Sequence, residues 1–542
     1  MWLAAGFVCA VLVALFLKYV FSSSGLSPFD VDTREPLKPM VLDKKEKDKV
    51  LKQGFESRKV PQCLDAVVIG SGAGGLGLAV LLAKVGKKVL VLEQHSRAGG
   101  CCHTFSEKGF EFDVGIHYVG DLQESRPFRC LLDQLTNGQL QWEPLDNPFD
   151  RVVLGPPENR RTYPIYSGRE HFAQELKKCF PGEDEAIDEF LRLTKKCDRG
   201  VWMMAVLKLL PFPLAKFLAC TGLADCLSHF FRYGSRSLAE VVNGLTQNKD
   251  LRAVLCYVFG TYGVSVLKGQ EEVHVQAPLV ISDAGIFNTY NQLLPREVQK
   301  FPAIQKQLGM LRHGAGGLSV FLGLAGSKEE LGLKAENHWI FSENNLDELM
   351  DDYLKGERDE CVTRVPMVFA ASPSAKDPTW EQRKPGKSTL SLVTFAPYEW
   401  FEEWKDGKVK NRGPDYTDVK KKIIQSLLEV VTHIFPKITD KIEYVDAGTA
   451  VTNQHYIAAP RGEFYGADHN TARFTADVCA SIRPQTPVRN LFLTGQDLCS
   501  CGLAGALVGA MICGSAILNR NLYMDVTALN KKLKHANAKK AQ

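Results

Sequence analysis

The chain has 542 residues, 45% of them hydrophobic and 24% charged, with a formal net charge of +4. That length accommodates two or three packed regions, and the composition excludes a disordered or collagen-like chain. The small net charge, without a basic stripe, gives no nucleic-acid partner. The fifteen cysteines are scattered and odd in number, and no CxxC…CxxC spacing and no N-x-Ser/Thr acceptor occur. Only Cys101-Cys102 and Cys499-x-Cys501 are tight clusters. Neither has histidines at finger spacing, so no metal site is expected and the thiols read as mostly reduced.

At the amino end, Leu3 to Leu17 is an uninterrupted apolar run, and residues 1–21 hold a single charge, Lys18. As a helix this segment would span roughly 30 Å, enough for a bilayer core. A cleaved signal peptide is the rival reading, but no Lys or Arg precedes the run. Between Lys38 and Lys59 eight Lys/Arg stand against four Asp/Glu. That excess favours a membrane anchor with the body on the cytosolic side. The chain ends Lys539-Lys540-Ala541-Gln542, which resembles a dilysine endoplasmic-reticulum retrieval tail read from the cytosol.

Asp65-Ala-Val-Val-Ile-Gly70 has the β-branched content of a buried parallel strand. Gly70-Ser-Gly72-Ala-Gly74-Gly75 follows, then the helical pattern Leu76 to Lys84, then a second strand, Val89-Leu-Val-Leu-Glu93. Gly70 permits the tight turn, Gly72 lets the backbone approach a pyrophosphate, and Gly75 lets helix and strand pack closely. The helix end offers unpaired N–H groups to the phosphates. Glu93, 23 residues after Gly70, stands where a carboxylate accepts bonds from ribose hydroxyls. This fingerprint alone does not separate FAD from NAD. Three further segments do: Glu93-x-x-x-Arg97-x-Gly99-Gly100, the alternating run Gly109 to Gly115, and Asn490-Leu-Phe-Leu-Thr-Gly495-Gln-Asp497 leading into the glycine-rich stretch from Gly502. Residues 501–518 carry no charge, and their place after Asp497 argues for a buried helix rather than a second membrane span.

Together these segments resemble the phytoene desaturase, carotenoid isomerase and amine oxidase group of flavoproteins, over most of the chain from about Asp65 to Leu518. The resemblance implies an α/β chain: a Rossmann-like FAD/NAD(P)-binding fold with a mixed-sheet and helical substrate (cap) domain. It implies that the amino-terminal βαβ unit holds the ADP half of FAD, and that the carboxy-terminal strand and helix return to the flavin half, with Asp497 toward the ribityl-pyrophosphate. Where that group often has arginine after the double glycine, this chain has Cys101-Cys102-His103.

Phe112-Asp-Val-Gly115-Ile-His117-Tyr118, Phe259-Gly-Thr-Tyr-Gly263, Val280-Ile-Ser-Asp-Ala284-Gly285 and Ala459 to Asp468 are similar to the polyene-saturating branch of the group. This implies saturation of one double bond of a retinoid, with hydride from reduced flavin to one carbon and a proton to the other. His117 and Tyr118 are the candidate catalytic side chains; a hydrogen-bonded core His and Tyr is the bland alternative. NADH or NADPH acting transiently, or another flavoprotein, would supply electrons. A desaturase or isomerase, and a non-catalytic lipid escort of the same fold, stay open.

Residues 1–21 are thus expected as the anchor or signal segment, 22–64 as a basic linker, 65–150 as the first FAD-binding part and 151–262 as a helical cap. A shortened return (263–300), a substrate domain (301–450), the second FAD-binding part (451–525) and a basic tail (526–542) complete the chain. Within the cap, Val201 to Phe231 is apolar but too broken by proline and lysine for a membrane span, and suits a buried cap, a lipid-facing entrance, or both. Only 16 residues separate Gly263 from Val280, where the resembling family holds several tens more. This looks like an internal deletion, expected to lower FAD affinity and stability.

Overall fold

The computed structural model describes residues 25–234, 236–258 and 275–541. The expected anchor, the turn Phe259 to Gly263 and most of the short interval after it lie outside the described residues. In chain order come β1 (Ala66–Ile69), α1 (Ala73–Lys84), β2 (Val89–Leu92), β3 (Thr104–Glu107), β4 (Phe110–Asp113), α2 (Pro127–Leu135), β5 (Asp150–Leu154) and β6 (Arg161–Ile165). The cap follows, including α3 (Trp202–Leu209) and α4 (Phe212–Cys220). Beyond it lie β7 (Leu279–Ser282), β8 (Gly317–Ala325), β9 (Asn337–Phe341), β10 (Met367–Ala371), β11 (Lys387–Phe395), α5 (Pro414–Ile434), β12 (Ile442–Gly448), β13 (Leu491–Leu493), α6 (Gly502–Leu518) and α7 (Leu522–Ala541).

β13, β7, β1 and β2 form, in that order, one parallel sheet. Short runs of Val, Ile and Leu suit such strands, which are covered on both faces. Here α1 and α6 pack on each other over the sheet, burying Leu78, Leu82, Ala510 and Cys513 with Val68 and Ile281. Gly509 sits so close to Gly495 that a side chain there would enter the Gly495 carbonyl. The chain's two ends therefore meet in one sheet. Residues 501–518 are the expected buried helix, and among the described residues no single helix is long and apolar enough to cross a membrane.

The second layer is a seven-stranded mixed sheet in the order β12-β8-β11-β10-β9-β5-β6. All its pairs are antiparallel except β5 with β9. α5 covers it, burying Ile423, Leu427 and Val431 in the core of that sheet. The region read as helical cap thus opens with two strands that join the sheet of the 301–450 region. Nothing local in residues 150–165 names that distant partner.

Three further segments are more ordered than their composition suggests. In the basic linker, Phe29 is buried and the Thr33 N–H donates to Gln134 of α2 at 2.9 Å. The basic tail is helix α7, whose Leu522, Val526 and Leu529 are buried against Leu131 and Leu507. The stretch 201–231 buries Met203, Met204, Leu207, Leu210 and Phe231, yet leaves Trp202 52% and Leu227 62% exposed. The buried character is present, and a few apolar side chains stay exposed.

Candidate active site

The hairpin β3–β4 carries the chain from the parallel sheet to the mixed one. Phe105 meets Phe321 of β8 edge to face at 4.9 Å, and Phe110 lies over Gly323, where a Cβ would stand 2.5 Å from its ring. The loop after β4 is thereby pinned between the layers. It lines a cavity of about 590 Å³ with Gly70, Gly72, Gly74, Glu93, Gly100, Gly495, Asp497 and Gly502.

The cradle side is largely backbone. α1 starts at Ala73, directly over the cavity, with Gly72 as its cap. At Gly74 a Cβ would lie 2.5 Å from the Asp283 carboxylate and 2.7 Å from Gly495 Cα, so only glycine fits. Gly75 faces inward, against the Gly70 carbonyl, as the helix–strand contact expected of it. The Ser71 N–H donates to Glu93 Oε2 at 3.1 Å, and the His95 N–H and ring Nδ1 each lie 2.9 Å from Oε1. Burial alone would raise the Glu93 carboxyl, but hydrogen bonds from His95 and Ser71 outweigh it and hold it at about 2. Glu93 is an anion there, as acceptance of ribose hydroxyls requires.

Asp497 is buried, and its two oxygens accept the N–H groups of Ile286, at 2.8 Å, and Ala467, at 3.0 Å. It therefore ties three separate segments together at the cavity wall. Gly99 does not line the cavity; its N–H donates to Ser71 Oγ at 3.1 Å and fixes the turn. Arg97 lies on a neighbouring cavity, donates to the Thr104 carbonyl and stands 3.9 Å from Asp48. Thr494, 2% exposed, lines the cradle with a hydroxyl that has no partner among the described residues. A buried hydroxyl without a partner costs free energy unless a ligand bonds to it. Thr494, the glycine turn and Glu93 therefore fit a bound dinucleotide.

The opposite wall is apolar, with Ile116, Trp339, Phe369 and Ile457. His117 and Tyr118 both line it. The His117 ring packs 5.3 Å from Phe369, its buried Nδ1 has no partner among the described residues, and burial beside the Lys376 ammonium drives its imidazole down to about 3. It is neutral at physiological pH. The Tyr118 hydroxyl donates to Asp150 Oδ2 at 3.2 Å. Asp150 also accepts from Tyr257, at 2.9 Å, and from Asn337 Nδ2, at 2.8 Å. Lys376 donates to Asn337 and to the His117 carbonyl. Burial lowers this ammonium to about 8, although Asp150 and Asp113 act to raise it.

A family profile described as an NAD(P)-binding Rossmann-like domain matches residues 68–135. An all-trans-retinol 13,14-reductase of Danio rerio is 59% identical, with all of both chains covered. One of Homo sapiens is 42% identical over 98% of this chain and 99% of its own length. The chain belongs to the all-trans-retinol 13,14-reductase family. The alignment with the Danio rerio reductase runs over 606 positions, 64 more than this chain has, so that family member carries at least 64 residues without a counterpart here. Among solved structures, cyclohexylamine oxidase from Brevibacterium oxydans superposes with a TM-score of 0.49 at 13% identity, covering 87% of this chain and 100% of its own.

In this member of the retinol-reductase family, sequence reasoning missed two groups of site residues. Asp283 lies directly under the glycine turn; a charged residue closing an otherwise apolar strand was the available signal. Asp150, Tyr257, Asn337 and Lys376 gave no signal, because their chemistry exists only once four distant segments meet.

Proposed function

We propose that the chain is an FAD-dependent reductase that saturates the 13,14 double bond of all-trans-retinol to give dihydroretinol, working at the cytosolic face of the endoplasmic-reticulum membrane. The observation that carries this reading is a single cavity in which a dinucleotide cradle faces an apolar aromatic wall. Its breadth is supported by end-to-end similarity to proteins named for that reaction. When bound, reduced FAD supplies a hydride equivalent to one carbon of the double bond.

The chain's own residues do the rest. Gly70 to Gly74 and Glu93 bind and orient the nucleotide, and Thr494 adds a hydrogen bond. Ile116, Trp339 and Phe369 exclude water from the polyene and align it across the cavity. Tyr118 holds the second hydrogen, at its hydroxyl, and Asp150 keeps that hydroxyl in place. The proton that Tyr118 gives up is restored from the Asp150 carboxyl, which burial pushes above the ordinary carboxylate range, while Asn337 and Lys376 hold that carboxyl in place. His117, held neutral, shapes the wall through Phe369. NADH or NADPH acts as the transient electron donor.

Full-length protein loaded with FAD, reduced anaerobically and given all-trans-retinol, is expected to form 13,14-dihydroretinol in a single turnover. Unchanged retinol beside a full flavin load overturns the reading, and isomerised or further desaturated product favours the desaturase alternative. One observation favours a second reading, of a shortened and flavin-poor member: the 64 positions missing against the Danio rerio reductase. Protein purified with one tightly held FAD per chain excludes that reading.

A further inference from the structure

We propose that Asp283 is a positioning residue of the nucleotide cradle, and that it must carry a proton for the cofactor's pyrophosphate to settle on the glycine turn. The inference rests on the FAD reading above. Asp283 follows β7, whose Ser282 lies level with Ile69 of β1 and Leu493 of β13. Its N–H donates to the Ile69 carbonyl at 2.8 Å, which plants the side chain where three parallel strands end. A Cβ on Gly72, Gly74 or Gly75 would stand 2.8, 2.5 or 3.0 Å from its carboxyl oxygens, and one on Gly495 would meet them as well. Four cradle glycines thus wrap one carboxyl, which accepts the Gly75 N–H from inside the first turn of α1.

That carboxyl also lines the cavity, on the same helix end where a phosphate group would bind. Among the described residues its charged surroundings are of one sign. Glu93 faces it from the end of β2 and Asp497 from beyond β13. The remaining titratable neighbours are thiols: Cys101 and Cys102 from the loop after β2, and Cys513 from α6. Burial, reinforced by Asp497 and Glu93, pushes Asp283 up to about 7 even though the Gly75 N–H acts to lower it. A pyrophosphate adds two further negative charges to this end of α1. Ionised Asp283 would therefore set a third like charge, beside Glu93 and Asp497, against the pyrophosphate, and a proton on the carboxyl removes that repulsion. Neutral Asp283 keeps its shape under the glycines. An asparagine would do the same without the proton.

The test is equilibrium binding of FAD to the apo form of the full chain in detergent micelles, followed by flavin fluorescence from pH 6 to 9. The dissociation constant of the wild type is expected to be flat up to about pH 7 and then to rise by up to tenfold per pH unit. D283N is expected to match the wild type at pH 6 within about threefold and to stay flat to pH 9. A flat wild-type profile, or the same slope in D283N, overturns the proposal while leaving the cofactor reading in place. Should D283N fail to fold, calorimetry of the wild type at pH 8 in two buffers of different ionisation enthalpy replaces it. Uptake approaching one proton per FAD supports the proposal, and no uptake overturns it. Absence of binding by the wild type at every pH overturns the cofactor reading and this proposal together.

Discussion

The two walls of the cavity are built by opposite means. The cradle uses main chain: a turn, a helix end and close glycine contacts, with side chains of Ser71, Glu93 and Thr494 at its rim. The facing wall uses side chains from β5, β9, the segment after β10 and the loop after β4, joined in one buried polar network. A backbone device tolerates many sequences but no added volume. A side-chain network tolerates volume changes but fails when one partner is lost, because its mates are left charged and buried.

The largest effect should come from adding volume to the cradle. Gly74→Val places side-chain atoms against the Asp283 carboxyl and the Gly495 backbone, neither of which can retreat. Protein lacking flavin absorbance and destabilised by about 3 kcal/mol or more is expected. Normal flavin content and an unchanged melting temperature would show that the cradle is not close-packed. Tyr118→Phe tests the other wall. It keeps the ring beside Phe369 and removes the hydroxyl from Asp150. Flavin content and KM for retinol should hold while kcat falls by about 10²-fold or more. A kcat within twofold of wild type would return Tyr118 to the role of a core tyrosine.

The smallest effect concerns His117. Its imidazole binds a proton near 6.5 when unfolded but only near 3 in the folded protein. The unfolded state therefore gains the proton first, and the stability His117 contributes above pH 6.5 is lost as pH falls toward 3. Chemical denaturation at pH 7 and pH 5 should show a smaller loss for His117→Gln than for the wild type. Equal losses would mean that the ring is reached by water.

The same contrast between the walls separates what is legible in the sequence from what is not. The strand–turn–helix–strand run from Ala66 to Glu93 is local, and each glycine has a steric reason that spacing alone reveals. The placing of Gly495 and Asp497 beside it follows from resemblance, and the parallel pairing of β13 with β7 and of β7 with β1 bears it out. The union of residues 150–165 with the later sheet is not legible, since β5 lies parallel to β9 across nearly two hundred residues. Nor is the docking of α7, whose few buried apolar residues are diluted among lysines.

The dinucleotide turn, the acid at the end of β2 and the buried character of residues 502–518 are readable from the residues alone, because these depend on short-range sterics and periodicity. That Asp283 stands under the glycines, and that Asp150, Asn337 and Lys376 gather behind Tyr118, follows from long-range packing. A charge's meaning depends on what surrounds it, and burial among distant segments is a property that no local pattern encodes.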